Sequence, residues 1–183
     1  TYRYGSVRMP LEMWGTWKTE ESKQKGTSLK EIDAALDDQL RQAVLLDILQ
    51  NFTLYATDKK RRRIKIIARY QQYDGANKIV ERVKQGEIKR GLIWHFQGSG
   101  KTYLIVFAAQ KLRMSPELKS PTVLVVIDRT NLDSQMSENF AVTDIPNVVT
   151  ADSRRELERL LAQDTRKIIV TMMHKFGEAE DVL

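Results

Sequence analysis

The sequence predicts an α/β domain, a parallel sheet covered by helices, preceded by a mainly helical N-terminal extension. Three observations support this. From residue 91 onward, short apolar runs alternate with helical stretches, the rhythm of strand–helix–strand units. Val123-Leu124-Val125-Val126-Ile127 is a continuous apolar, mostly β-branched run, as a central parallel strand requires. Gln97-Gly98-Ser99-Gly100-Lys101-Thr102 is a glycine-rich turn between an apolar run and a helical stretch.

The elements follow in order. Trp14 and Trp17, near Leu11 and Met13, suit a short segment pinned to a core, and Thr19 to Thr27 reads as a polar loop. Ser28-Leu29-Lys30-Glu31 has the spacing of a capping box: the serine accepts from an early helical N–H and the glutamate reaches back. Leu29, Ile32, Leu36, Leu40, Val44 and Ile48 continue at helical spacing, as one helix or two joined near Asp37-Asp38. Phe52, Leu54 and Tyr55 suggest a short strand, and Ile64, Ile66 and Ile67 a second. Tyr70 to Val83 is a predicted helix closed by Gly86. Gly91 to Trp94 is a predicted buried strand, Tyr103 to Leu112 a helix, 123–127 a strand and Asn131 to Phe140 a helix. Val148-Val149 is a short strand, Ser153-Arg154-Arg155-Glu156 a second capping box opening a helix to Gln163, and Ile168 to Thr171 the last strand.

Composition excludes several classes. The 183 residues are 42% hydrophobic and 30% charged, a normal globular mixture that argues against disorder. With no cysteine there are no disulfides or thiolate metal clusters, and two isolated histidines, His95 and His174, make a zinc site a poor expectation. No apolar run is long enough to span a membrane, and the start lacks the apolar core of a signal peptide, so the cytoplasm is the expected location. The chain opens on Thr1, as expected of a piece of a longer chain or of a processed one. The formal net charge is +6, and its densest part is Lys59-Lys60-Arg61-Arg62-Arg63, with Lys65 and Arg69 beyond. That cluster reads either as a polyanion contact or as a solvated hairpin. Glu20-Glu21 with Lys23 reads as solvated surface.

The glycine turn has the chemistry of a phosphate-binding loop. Glycines let backbone N–H groups crowd a phosphate, and a helix start adds unpaired donors and a favourable dipole. Lys101 would reach the β- and γ-phosphates, and Thr102 would place its hydroxyl on Mg²⁺. His95 stands where the full motif has its first glycine, a shortened form typical of helicase-like ATPases. Asp128 ends an apolar strand, where a Mg²⁺-holding aspartate can sit. Arg129 directly after it, and no neighbouring carboxylate to activate water, favour a strand-end residue instead.

Longer stretches add specificity. Residues 40–176 resemble the motor subunit, the restriction (R) subunit, of type I restriction–modification enzymes. The resemblance lies in Leu45-Leu46-Asp47-Ile48-Leu49-Gln50-Asn51-Phe52, Ala68-Arg69-Tyr70-Gln71-Gln72-Tyr73 and Ala76-Asn77-Lys78. It is strongest in Lys89-Arg90-Gly91-Leu92-Ile93-Trp94-His95-Phe96 running into the loop, and continues in Asp128-Arg129-Thr130-Asn131-Leu132-Asp133-Ser134-Gln135 and Thr171-Met172-Met173-His174-Lys175-Phe176. The resemblance implies a superfamily 2 P-loop ATPase with RecA-like domains, an ATP-dependent type I site-specific deoxyribonuclease as intact subunit. It implies ATP and Mg²⁺ as cofactors, and as partners double-stranded DNA and the methyltransferase (M) and specificity (S) subunits, with no membrane. On this basis residues 1–66 would be a linker between nuclease and motor, and 67–183 the first part of a RecA-like ATPase domain.

Roles carried over by the resemblance are these. Gln72 reads adenine, flanked by Arg69 and Tyr70. Gln97, Gly98, Ser99 and Gly100 hold phosphate with Lys101 and Thr102, which are also the catalytic pair. Asp128, Arg129, Gln135, Thr171 and Lys175 face DNA, which also sets Asp128 apart from Mg²⁺ binding. Phe96 departs from the threonine common at its position. An Asp-Glu-x-His box is expected past residue 176, a second motor domain beyond it and a nuclease motif before residue 1, so this stretch alone is expected to bind nucleotide weakly and turn over little. Other readings stay open: another superfamily 2 helicase or remodeller, a nucleotide kinase or GTPase with Asp128 on Mg²⁺, or a non-catalytic module binding an acidic partner. His174, Met172 and Met173 suit core or interface packing equally well.

Overall fold

The computed structural model describes residues 2–7, 9, 11–18, 29–57, 61–96, 98–127, 145–164 and 166–173. After a single 3-10 turn (Leu11–Met13) come two α-helices, α1 (Leu29–Leu40) and α2 (Gln42–Asn51), and the helical run breaks at Arg41. β1 (Thr53–Thr57) and β2 (Arg63–Ile67) pair antiparallel, Thr53 opposite Ile67. So residues before 67 comprise a hairpin as well as helices. Leu54 and Ala56 point inward and Tyr55 outward, the alternation of a half-buried strand. Ser28, Lys59 and Lys60 lie outside the described residues.

α3 (Tyr70–Gln85) follows at once and ends at Gly86. α4 (Lys101–Met114) packs along it through small residues: Ala76 on α3, Ala108 and Ala109 on α4. The approach is so close that a Cβ at Gly75 would stand 2.7 Å from Leu104 Cδ1.

The parallel sheet has the order β3-β5-β4, from β3 (Val123–Ile127), β4 (Val148–Thr150) and β5 (Ile168–Met172). Val123 lies opposite Ile168, and Val148 opposite the same residue from the other side. Ile168, Ile169 and Val170 are wholly buried, as a strand covered on both faces must be. Ile168 and Val170 join Val125 and Ile127 on the face covered by α4, while Ile169 joins Leu157 and Leu160 of α5 (Arg154–Leu161) on the other. Ser153 caps α5, its Oγ accepting from Glu156 N at 3.2 Å; the glutamate accepts in turn from Asp152 N. The result is a layered α/β arrangement with strand and helix largely where periodicity places them.

One predicted strand is absent. Gly91 to Trp94 joins no ladder, and Leu92 and Trp94 are each 88% exposed. The segment lies along α3, where Arg82 Nη1 donates to Arg90 O at 2.8 Å. An apolar run becomes a strand only beside a strand edge that takes its backbone groups, and none of the described strands does so. The helix predicted over 131–140 lies outside the described residues.

The core ignores the position between residues 66 and 67, which falls inside β2. Phe52 packs on Tyr73 of α3 and Phe107 of α4, at ring distances of 4.7 and 5.5 Å. A polar clamp reinforces the junction. Lys111 Nζ of α4 donates to both Asp47 oxygens of α2 and to Asn77 Oδ1 of α3, each at 2.6 Å. Three helices thus share one cation whose donors are all used, so the half-buried ion pair carries no unpaired charge.

Candidate nucleotide site

The glycine turn lies directly before α4. Gly98 and Gly100 have φ of +78° and +81°, a left-handed region that costs an L-residue energy and glycine nothing. At Gly100 the demand is double, because an added Cβ would collide with Gln72 Nε2. Gly100 is also the N-cap of α4, and no side chain caps it. The first N–H groups of α4 therefore remain available for an anion. Ser99 is 1% exposed, and its Oγ has no hydrogen-bond partner; the same holds for the buried Nδ1 of His95. The orphaned Ser99 hydroxyl beside an uncapped helix start fits a bound phosphate. Lys101, the first residue of α4, is exposed and has no ion pair among the described residues, and Thr102 beside it is half-buried. Gln97 lies outside the described residues.

Gln72 occupies the third position of α3 and works as a bridge. Its Oε1 accepts from Arg69 N at 2.8 Å, and its Nε2 donates to Gly100 O at 3.0 Å. The first bond closes the start of α3 and the second ties it to the phosphate loop. A glutamine amide has two acceptor and two donor positions. One of each is used here, and one of each remains.

These residues open on a cleft of about 480 Å³, lined by Arg69, Gln72, Gly98, Gly100 and Tyr103 together with β2 and residues near Tyr4 and Gly15. That volume suits a nucleotide-sized ligand. Arg69 lines it, but Tyr70 turns its ring onto Trp17, 5.3 Å away, in an aromatic cluster to one side. Arg62, Arg63 and Lys65 make the hairpin wall positive. Sequence reasoning placed these cations but not their cleft, and it missed the wall near Tyr4, which no motif marks.

Of the residues expected to face DNA, only Thr171 lies among the described residues. Asp128, Arg129, Gln135 and Lys175 lie outside the described residues. Thr171 is 2% exposed, and its hydroxyl donates to Ala151 O at 3.4 Å, so it has no surface to offer. Among the described residues, no cluster of His, Asp or Glu has the makeup of a metal site, and no helix is long and apolar enough to cross a membrane.

Residues 71–182 match the SWI2/SNF2 ATPase family. The chain is 34% identical to the type I restriction enzyme HindI endonuclease subunit of Haemophilus influenzae, over 98% of this chain and 18% of that protein. Two putative type I restriction enzyme endonuclease subunits of Methanocaldococcus jannaschii, MjaVIIIP and MjaIXP, are 30% and 32% identical, over 77% and 96% of this chain and 16% and 18% of theirs. The chain thus spans under a fifth of the length of these relatives. The loop geometry and these matches agree: the chain belongs to the SWI2/SNF2 ATPase family, as a homologue of the endonuclease subunits of type I restriction enzymes.

Proposed function

We propose that this chain is the ATP-binding part of the restriction and translocation subunit of a type I restriction–modification enzyme, with a RecA-like fold around its phosphate loop. The observation that carries the reading is the Gln72 bridge. It leaves one acceptor and one donor of the amide unused, on a side chain that is 4% exposed and lines the cleft beside an uncapped, glycine-lined helix start. Adenine offers the complementary pair, an N6 donor and an N7 acceptor, on one edge. Base reader and phosphate cradle are therefore joined through Gly100, and a nucleotide touching both would fix the angle between α3 and α4.

In this reading the loop N–H groups and Lys101 hold the triphosphate, and Thr102 holds Mg²⁺, which neutralises charge on the β- and γ-phosphates. Arg69 lines the base end of the cleft. Gln97 completes the loop. An acidic box and a second motor domain would complete hydrolysis. Asp128, Arg129, Gln135 and Lys175 would meet the phosphates of double-stranded DNA, a sequence-independent and salt-sensitive contact. Thr171, buried, would anchor the strand leading to Lys175. The methyltransferase and specificity subunits would supply target choice.

Calorimetry of ATP and GTP, each with Mg²⁺, tests the reading on the full chain. Lys101→Ala is expected to abolish binding of both. Gln72→Ala is expected to lower ATP affinity by about tenfold or more and to erase the preference for ATP over GTP. Equal binding of ATP and GTP, insensitive to Gln72, would leave the phosphate cradle standing and remove the base reader.

A further inference from the structure

The cleft has a wall that no sequence motif marks. Tyr4 and Gly15 form an antiparallel bridge, Tyr4 N donating to Gly15 O at 2.9 Å and Gly15 N to Tyr4 O at 3.0 Å. Inside the bridged loop, the Trp14 ring lies so close over Gly5 that a Cβ there would stand 2.7 Å from it, and Trp14 Nε1 donates to Met9 O at 2.9 Å. The loop is fastened to the base of α3: Tyr4 hydroxyl donates to Ala68 O at 2.7 Å. Trp17, just past the bridge, is buried between Tyr4, Tyr70 and Tyr73, and its Nε1 donates to Asp38 Oδ2 at 2.9 Å. Among the described residues, Tyr4, Trp14 and Trp17 thus each use a polar side-chain atom in holding the loop in place. What it presents to the cleft is Tyr4, Gly5, Ser6, Val7, Met9 and Gly15.

Gly15 is the critical position. An added Cβ would point at the Arg69 stem, 3.4 Å from Cγ, with Tyr4 Cε1 at 3.9 Å. These are tolerable contacts, and φ at Gly15 is not in the left-handed region, so the backbone does not demand glycine. What the missing side chain leaves is room in the cleft beside the stem of Arg69, the residue whose backbone N–H Gln72 holds.

Resting on the nucleotide reading above, we propose that the bridged loop of residues 4–15 is the base-side wall of the cleft and that Gly15 is a specificity-determining position. It admits the base without touching the phosphates. A side chain at residue 15 would then weaken nucleotides but leave a bare polyphosphate unaffected, because the nearest groups to a Cβ there belong to Arg69 and Tyr4 and not to the glycine loop.

The test uses the full chain, with Mg²⁺, and two titrants, ATP and inorganic tripolyphosphate, on Gly15→Ala, Gly15→Leu and Lys101→Ala. Gly15→Leu is expected to weaken ATP by at least about tenfold, Gly15→Ala by less, and both to bind tripolyphosphate within about twofold of the parent. Lys101→Ala is expected to lose both titrants. Unchanged ATP affinity in both Gly15 variants, with Lys101→Ala still inactive, overturns the wall and leaves the nucleotide reading intact. Unchanged ATP affinity in Lys101→Ala overturns the reading itself. If Gly15→Leu loses tripolyphosphate too, its fold has failed and Gly15→Ala decides: an unaltered ratio of ATP to tripolyphosphate affinity overturns the proposal.

Discussion

Two apolar runs in this chain look alike and end differently. Ile168 to Met172 and Gly91 to Phe96 are both short, apolar and flanked by charge. The first is the middle strand of the sheet, its first three residues wholly buried. The second leaves Leu92 and Trp94 at 88% exposure and Phe96 at 69%. The difference lies in backbone partners. β5 has a parallel neighbour on each side, so its N–H and C=O groups are paired and both its faces are covered. Residues 91–96 have α3 beside them, and a helix has no ladder to offer. Apolarity specifies that a run prefers burial; an available strand edge decides whether it becomes a strand.

The largest expected effect breaks the buried side of this comparison. Ile169→Ala removes a side chain held between β5 and α5, against Leu157 and Leu160. Its loss is expected to cost about 2–5 kcal/mol, a transfer term plus the cavity left behind. Urea denaturation gives the value. A change below about 0.5 kcal/mol would show that α5 does not pack on the sheet as described.

A smaller effect separates the two regions by pH. No residue from Ile168 to Met172 titrates, whereas the junction of α2, α3 and α4 contains Tyr73. Burial, and then the Asp47 carboxylate beside it, push its phenol from 10.0 up to about 12. The folded state therefore favours the neutral phenol. Its contribution is fully present below pH 10 and is lost as pH rises toward about 12, since the unfolded chain releases its proton first. Tyr4 is raised in the same direction, chiefly by burial, so part of the slope belongs to the loop of residues 4–15. Tyr73→Phe is expected to flatten the alkaline loss of stability in this window without abolishing it. Denaturation midpoints measured across the window would refute this if the variant and the parent fell in parallel.

Legibility from sequence followed the same physics. The helix of Tyr70 to Gln85, the strands of the sheet and the cap at Ser153 depend on local periodicity and side-chain reach, and both are written in neighbouring residues. The glycine turn before α4 was legible because glycine, lysine and threonine at that spacing have few other uses, and the structure gives both described glycines of that turn positive φ. The base-side wall was not. Tyr4 meets Gly15 through backbone groups alone, which leave no mark in residue identity, and its hydroxyl reaches Ala68 O across 64 positions, a pairing that exists only in the fold. The bridging role of Gln72 was half legible: the resemblance gave it a base to read, but its bond to Gly100, 28 positions away, exists only in the fold. The burial of Thr171 was open to a local reading, since Ile168-Ile169-Val170-Thr171 is one continuous strand pattern with covered neighbours.

The smallest expected effect sharpens the exposed side of the comparison. Trp94→Ser removes one of the three indoles, the largest side chains in the chain, at a position 88% exposed. If residues 91–96 lie on α3 as described, the indole contributes little to folding, and the change is expected to stay within about 0.5 kcal/mol, as for surface substitutions generally. Ile93 and His95, on the alternate side of the segment, are less exposed, so the same truncation at Ile93 is expected to cost more. The ratio of the two costs carries the information, because it is insensitive to the overall stability of the protein. Fluorescence provides an independent reading: Trp94 emission is expected to be red-shifted and readily quenched by iodide, whereas Trp17, 4% exposed, is expected to resist it. A Trp94 that is shielded from iodide and costs several kcal/mol to remove would mean that another strand covers this run in the full chain, and that residues 91–96 had found the edge that the described strands do not provide.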